Sequence, residues 1–105
     1  RYLRRTIGLT ETDLSDGTGA STRTVRRWIV ADSETVGDTR YAAQINDLRT
    51  IVAELEDSLT HRGIRQWLRA RNRYLKGDRP IDVLRNGYFD RVLEAAKAFA
   101  DGGYV

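Results

Sequence analysis

Between residues 40 and 59 the apolar positions Tyr41, Ile45, Leu48, Val52, Leu55 and Leu59 recur at alternating steps of four and three. That spacing places them on one face of a helix of about five turns. Ala42 and Ile51 broaden the stripe, and Asp47, Arg49, Glu54, Glu56 and Asp57 fall on the other face. About three heptads are too few to define a coiled coil. A core helix and a dimer seam fit the pattern equally.

Shorter helices follow. Ile64, Trp67, Leu68 and Leu75 keep helical spacing from Gly63 to Leu75, and Lys76-Gly77-Asp78 ends the run, glycine being the usual left-handed stop. Pro80 is suited to a first helical position. Ile81, Val83 and Leu84 then form a short helix that Asn86-Gly87 closes. From Tyr88 to Ala100 the apolar set Phe89, Val92, Leu93, Ala96, Phe99 and Ala100 predicts an amphipathic helix. Asp101-Gly102-Gly103-Tyr104-Val105 is expected to leave it, because two glycines free the backbone before an apolar end. No stretch alternates with period two, so the expected class is all-α.

Residues 11–30 carry a more specific layout. Ser15 is small where two helices cross, Gly19 follows four residues later where the chain must turn, and Ser21 is placed to cap the next helix. Val25, Trp28 and Ile29 form that helix's inner face. These offsets are those of a helix-turn-helix, in which the first helix braces the second and the second enters the major groove. Ser21, Thr22, Arg23, Thr24, Arg26 and Arg27 are the candidate DNA contacts, with Arg4 and Arg5 as phosphate contacts from the preceding segment. Thr18 stands where an apolar residue is usual. An ordinary αα-hairpin with solvated arginines is the competing explanation.

Charge adds separate surfaces to this picture. The 105 residues carry 18 basic and 15 acidic side chains, a net of +3, a weak electrostatic footprint that dimerisation doubles. Residues 60–79 alone hold seven basic side chains and one acidic, whereas 32–59 hold two and seven. Arg62, Arg65, Arg69, Arg71 and Arg73 therefore face an acidic partner, nucleic acid or only water. The absence of Cys excludes disulfides, thiol catalysis and cysteine-bound zinc, and a single His excludes paired histidine ligands. Gly17-Thr18-Gly19 lacks the lysine of a phosphate loop. The carboxylates of 32–59 have no apolar pocket to raise a pKa. No catalytic residue, metal site or cofactor is expected. No apolar run is long enough to span a membrane and no signal peptide is visible, so a cytoplasmic location is expected. Met is absent even at position 1, which reads as a trimmed N-terminus.

Gly63-Ile64, Trp67-Leu68, Asn72, Leu75, Gly77, Pro80-Ile81-Asp82, Leu84 and Gly87 together resemble the toxin-binding domain of Xre/MbcA/ParS-type antitoxins. The resemblance covers about residues 50–105, and with the chain length and apolar end it is nearest the MbcA kind. It implies an N-terminal helix-turn-helix subdomain at 1–35, then a long connecting helix and a small helical toxin-binding domain within 36–105. It further implies neutralisation of a cognate, NAD-consuming RES-domain toxin by covering its active site, and repression of the chain's own operon. Arg65, Arg69, Arg73, Asp101, Gly102, Gly103, Tyr104 and Val105 are the expected toxin contacts, the last residues acting as a plug. A homodimer or a hetero-oligomer with the toxin suits this architecture. A transcription regulator whose C-terminal half only dimerises is the alternative, and a helical adaptor with a vestigial helix-turn-helix is a third.

Overall fold

The computed structural model describes residues 2–30 and 39–102, and every regular element in them is helical. A wide helical turn at Tyr2–Ile7 precedes α1 (Glu11–Thr18) and α2 (Thr22–Val30). Then come α3 (Thr39–Leu55), α4 (His61–Arg69), a tight 3₁₀ turn at Arg73–Leu75, α5 (Pro80–Arg85) and α6 (Phe89–Ala100). The expected boundary between residues 35 and 36 lies outside the described residues.

Local chemistry starts and stops these helices. Thr10 and Asp13 form a reciprocal capping box on α1: the Asp13 N–H donates to the Thr10 hydroxyl at 3.0 Å, and the Thr10 N–H to the Asp13 carboxylate at 2.9 Å. At the other end Gly19 adopts φ +84°, and its N–H reaches the Ser15 carbonyl. A side chain there would be strained, so the left-handed stop needs glycine. Ser21 then accepts from the Thr24 N–H at 3.2 Å and caps α2, as its position predicts. Thr60 does the same for α4 through the Gly63 N–H at 3.0 Å. Pro80 opens α5.

The central element is α3. Ile45, Leu48, Ile51, Val52 and Leu55 are all buried, and α3 packs against α1, α5 and α6. From Ile45 to Leu55 its apolar stripe is therefore covered by the chain itself, which answers the choice between core helix and dimer seam in favour of the core, whereas Ala42, expected to broaden the stripe, is exposed. Leu3 and Ile7 from the N-terminal turn, Leu14, Val25 and Trp28 from α1 and α2, and Ile64, Ile81 and Val92 from later helices join one continuous apolar cluster. Gly17 is buried where α1 meets two other helices; a Cβ there would lie 3.5 Å from Leu48 and 3.6 Å from Ile81.

Two expected helices are shorter than their periodicity. The 40–59 helix ends at Leu55, after which Ser58 and Leu59 N–H groups both bond back to the Leu55 carbonyl. Leu59 still packs on the core from the turn, so its apolar spacing reports burial and not helix. The 63–75 helix breaks at Ala70, which is extended at ψ 148°. Asn72 causes the new geometry. Its side-chain oxygen accepts from the Tyr74 N–H at 2.9 Å, its own N–H donates to Asp78, and its carbonyl accepts from Leu75 and Gly77. A short polar side chain that satisfies the backbone locally competes with helix continuation. Leu75 nevertheless reaches the core.

Candidate functional site

The outer face of α2 matches its expected composition. Val25 and Trp28 are buried and Ile29 is half-buried, while Thr22, Arg23, Arg26 and Arg27 are exposed beside Ser21. Arg26 lies 3.2 Å from Glu11 of α1 at the surface, and Thr24 receives the Ser21 hydroxyl. Thr18 is buried in the turn and fully used: its hydroxyl donates to the Leu14 carbonyl at 2.6 Å and accepts from the Ala20 N–H at 3.2 Å. Paired in this way, threonine occupies an apolar position without an unsatisfied group. Ser15 is half-buried and donates across the same turn to the Ala20 carbonyl at 2.6 Å.

Several of the expected contact arginines hold the chain together. Arg4 donates to the Leu9 carbonyl at 2.9 Å, whereas Arg5 is exposed. Arg65 donates to the Ile7 carbonyl at 2.6 Å and lies against Gly8, which binds the N-terminal turn to α4. Arg69 reaches α1, bonding Asp13 twice and standing 2.8 Å from Asp16. Burial opposes ionisation of Asp13, but hydrogen bonds from Thr10 and Arg69 outweigh it and hold the carboxyl below its ordinary range. Burial likewise opposes the charge on Arg69, and Asp13 and Asp16 outweigh it, raising the guanidinium further. Nearby, Arg79 grips Asp82 at 2.8 and 3.0 Å and lowers the Asp82 carboxyl.

Arg73 is exposed and lines a cavity of about 270 Å³ that sequence reasoning did not find. Trp67 comes from α4, Ala70 from the cap that ends it, Arg71 to Tyr74 from the loop and 3₁₀ turn that follow, and Ala95 and Phe99 from α6. Trp67 is half-buried: it packs on the core with one side and walls the cavity with the other. Tyr74 is 43 % exposed. The available signal was Tyr74 itself, an aromatic residue in a charged stretch. Asp101 and Gly102 form an exposed turn after α6, two to three residues beyond Phe99. Gly103, Tyr104 and Val105 lie outside the described residues. No group of three or more His, Asp or Glu able to hold a metal occurs among the described residues, nor is any described helix long and apolar enough to cross a membrane.

No protein-family model matches the chain. Individual relatives do. The "Probable mycobacterial cidal antitoxin Rv3188" of Mycobacterium tuberculosis is 41 % identical over 99 residues, covering 94 % of this chain and 83 % of the relative. The mycobacterial cidal antitoxin MbcA of Mycobacterium bovis is 29 % identical over 99 residues, covering 94 % and 86 %. Among solved structures, a chain from the crystal structure of the M. tuberculosis MbcT–MbcA toxin–antitoxin complex superimposes with a TM-score of 0.79 and 30 % identity, covering 98 % of this chain and 90 % of that one. With 41 % identity to a mycobacterial cidal antitoxin over 94 % of its length and a matching helical fold, the chain belongs to the mycobacterial cidal antitoxin family.

Proposed function

We propose that this chain binds and neutralises a cognate RES-domain toxin that consumes NAD, acting as a cover over the toxin's active-site entrance and not as an enzyme. The observation that carries this reading is the likeness across 98 % of the chain to a component of a toxin–antitoxin complex. The C-terminal residues 101–105 act as the plug, and Arg73 is a further toxin contact. A tyrosine ring supplies apolar area and a terminal carboxylate pairs with cations that otherwise hold nucleotide phosphates. No cofactor is needed for such a role. The site of action is the cytoplasm.

The second half of the proposal is repression of the chain's own operon by α1 and α2. Ser21 caps the helix, Gly19 sets the turn, and Arg23, Arg26 and Arg27 stand exposed on one helix. Exposed guanidiniums on such a helix suit guanine edges and phosphates. Arg5 adds a phosphate contact. Arg4 contributes by fixing the N-terminal turn through Leu9. Pairing of two chains, directly or through the toxin, doubles the modest positive charge and matches a two-fold operator.

Co-expression with the adjacent toxin gene tests the neutralisation reading. The toxin alone is expected to arrest growth, and this chain to restore growth and to be retained on the tagged toxin. Continued arrest with no retention contradicts the proposal.

A further inference from the structure

The cavity between α4 and α6 combines three aromatic rings, two alanines and a basic rim. Trp67, Tyr74 and Phe99 supply the rings, Arg71 and Arg73 the rim. At about 270 Å³ it lies below the roughly 300–1,000 Å³ of pockets that enclose small molecules. It is sized for a protruding side chain. Aromatic residues and arginine are also the types that anchor protein interfaces.

Charge and position narrow the occupant. Arg71, Arg73 and Lys76 are exposed around this loop, and residues 60–79 contain one acidic side chain, Asp78. A guanidinium rim beside an apolar hollow suits an apolar side chain with a neighbouring carboxylate. Phe99 lies two residues before Asp101, so the hollow opens at the end of α6 from which the chain's last residues leave.

We infer that this cleft seats an apolar anchor side chain of the toxin, with an adjacent toxin carboxylate received by Arg71, which donates to the Gly77 carbonyl at 3.2 Å and keeps further guanidinium N–H groups for it. The inference rests on the antitoxin reading and adds a second contact beside the C-terminal plug. Asn72 is the positioning residue, because its hydrogen bonds shape the loop that carries both arginines and Tyr74.

Binding of the full chain to the purified toxin from the adjacent gene, measured by titration calorimetry, tests it. Ala70→Trp fills the cleft from an exposed position at the end of α4, and Arg71→Glu reverses the rim charge. Arg91→Glu makes the same charge change at an exposed α6 position outside the cleft lining. Circular dichroism checks that each variant remains helical. Ala70→Trp and Arg71→Glu are each expected to weaken toxin binding by about thirtyfold, the loss of one interface anchor, with Arg91→Glu near the unmodified chain. Unchanged toxin affinity in both cleft variants overturns the inference while leaving the antitoxin reading standing. Failure of the unmodified chain to bind the toxin overturns both. Loss of operator affinity with toxin affinity intact assigns the cleft to nucleic acid instead and overturns it too.

Discussion

Arg69 donates two hydrogen bonds to one carboxylate oxygen of Asp13, at 2.9 and 2.6 Å, across 56 residues of sequence. The same guanidinium stands 2.8 Å from Asp16. Both partners are sheltered, Asp13 at 14 % and Arg69 at 30 % side-chain exposure. The bond joins α4, next to the cleft, to α1, which braces the exposed basic face of α2. The two surfaces assigned to different partners thus share one polar clamp above one apolar core.

Loss of the clamp is expected to be felt in stability and in its pH dependence. Arg69→Ala leaves sheltered Asp13 without a guanidinium and Asp16 with only Arg85 at 3.9 Å, and should cost about 2 kcal/mol. The folded Asp13 carboxyl lies below its ordinary 3.8, so its stabilising effect is present above that pH. It is lost as pH falls through the folded value, because the unfolded chain takes up the proton first. Asp13→Asn keeps an acceptor for the Thr10 N–H, but removes the charge and puts an amide N–H₂ where Arg69 has its acceptor. Urea unfolding should show the variant less stable near neutral pH, with the gap narrowing as pH falls below 3.8. A gap independent of pH contradicts the role given to the carboxylate.

Thr18 offers a sharper test of the turn. A helix-turn-helix pattern favours an apolar residue there, which makes Thr18→Val look conservative. The structure says otherwise: the Ala20 N–H would lose its acceptor inside the turn. The expected cost is about 1–2 kcal/mol, or roughly 4–16 °C in melting temperature for a chain near this size. A melting curve that coincides with the unmodified chain removes the hydroxyl from the account.

For the proposed DNA surface, Arg23→Ala, Arg26→Ala and Arg27→Ala combined should weaken operator binding and leave helicity intact. A base-contacting arginine accounts for about 1–3 kcal/mol with relaxed specificity, and a phosphate-contacting one lowers all sequences together with the salt slope. The lost Arg26–Glu11 pair is exposed and contributes at most about 1 kcal/mol to stability. Mobility-shift titrations at several salt concentrations separate the two kinds of contact. Unchanged operator affinity excludes α2 from the interface.

Periodicity made the helical class legible, together with the inner faces of α2, α3 and α6. Residue chemistry marked the stops at Gly19 and Gly87 and the starts at Ser21 and Pro80, whereas the helix expected to stop at Gly77 ends at Ala70. The helix break at Ala70 was hidden, because Leu75 returns to the core at a spacing that a continuous helix also satisfies. Asn72 carried the only local signal of the break. The inward roles of Arg65 and Arg69 were also hidden. Their partners, Ile7 and Asp13, lie more than fifty residues away, and an exposed-looking arginine carries no mark of a distant acceptor. The cleft was illegible for the same reason, being assembled from α4, a loop and α6.

The central claim is neutralisation of a toxin proposed to consume NAD, and NAD consumption by the purified toxin tests it most directly. With equimolar full-length chain the account predicts that consumption stops. A chain lacking residues 102–105 should retain its helicity and melting temperature while leaving substantial consumption. Equal inhibition by both places the inhibitory contact within residues 63–100. Undiminished NAD consumption in the presence of the full-length chain contradicts the account.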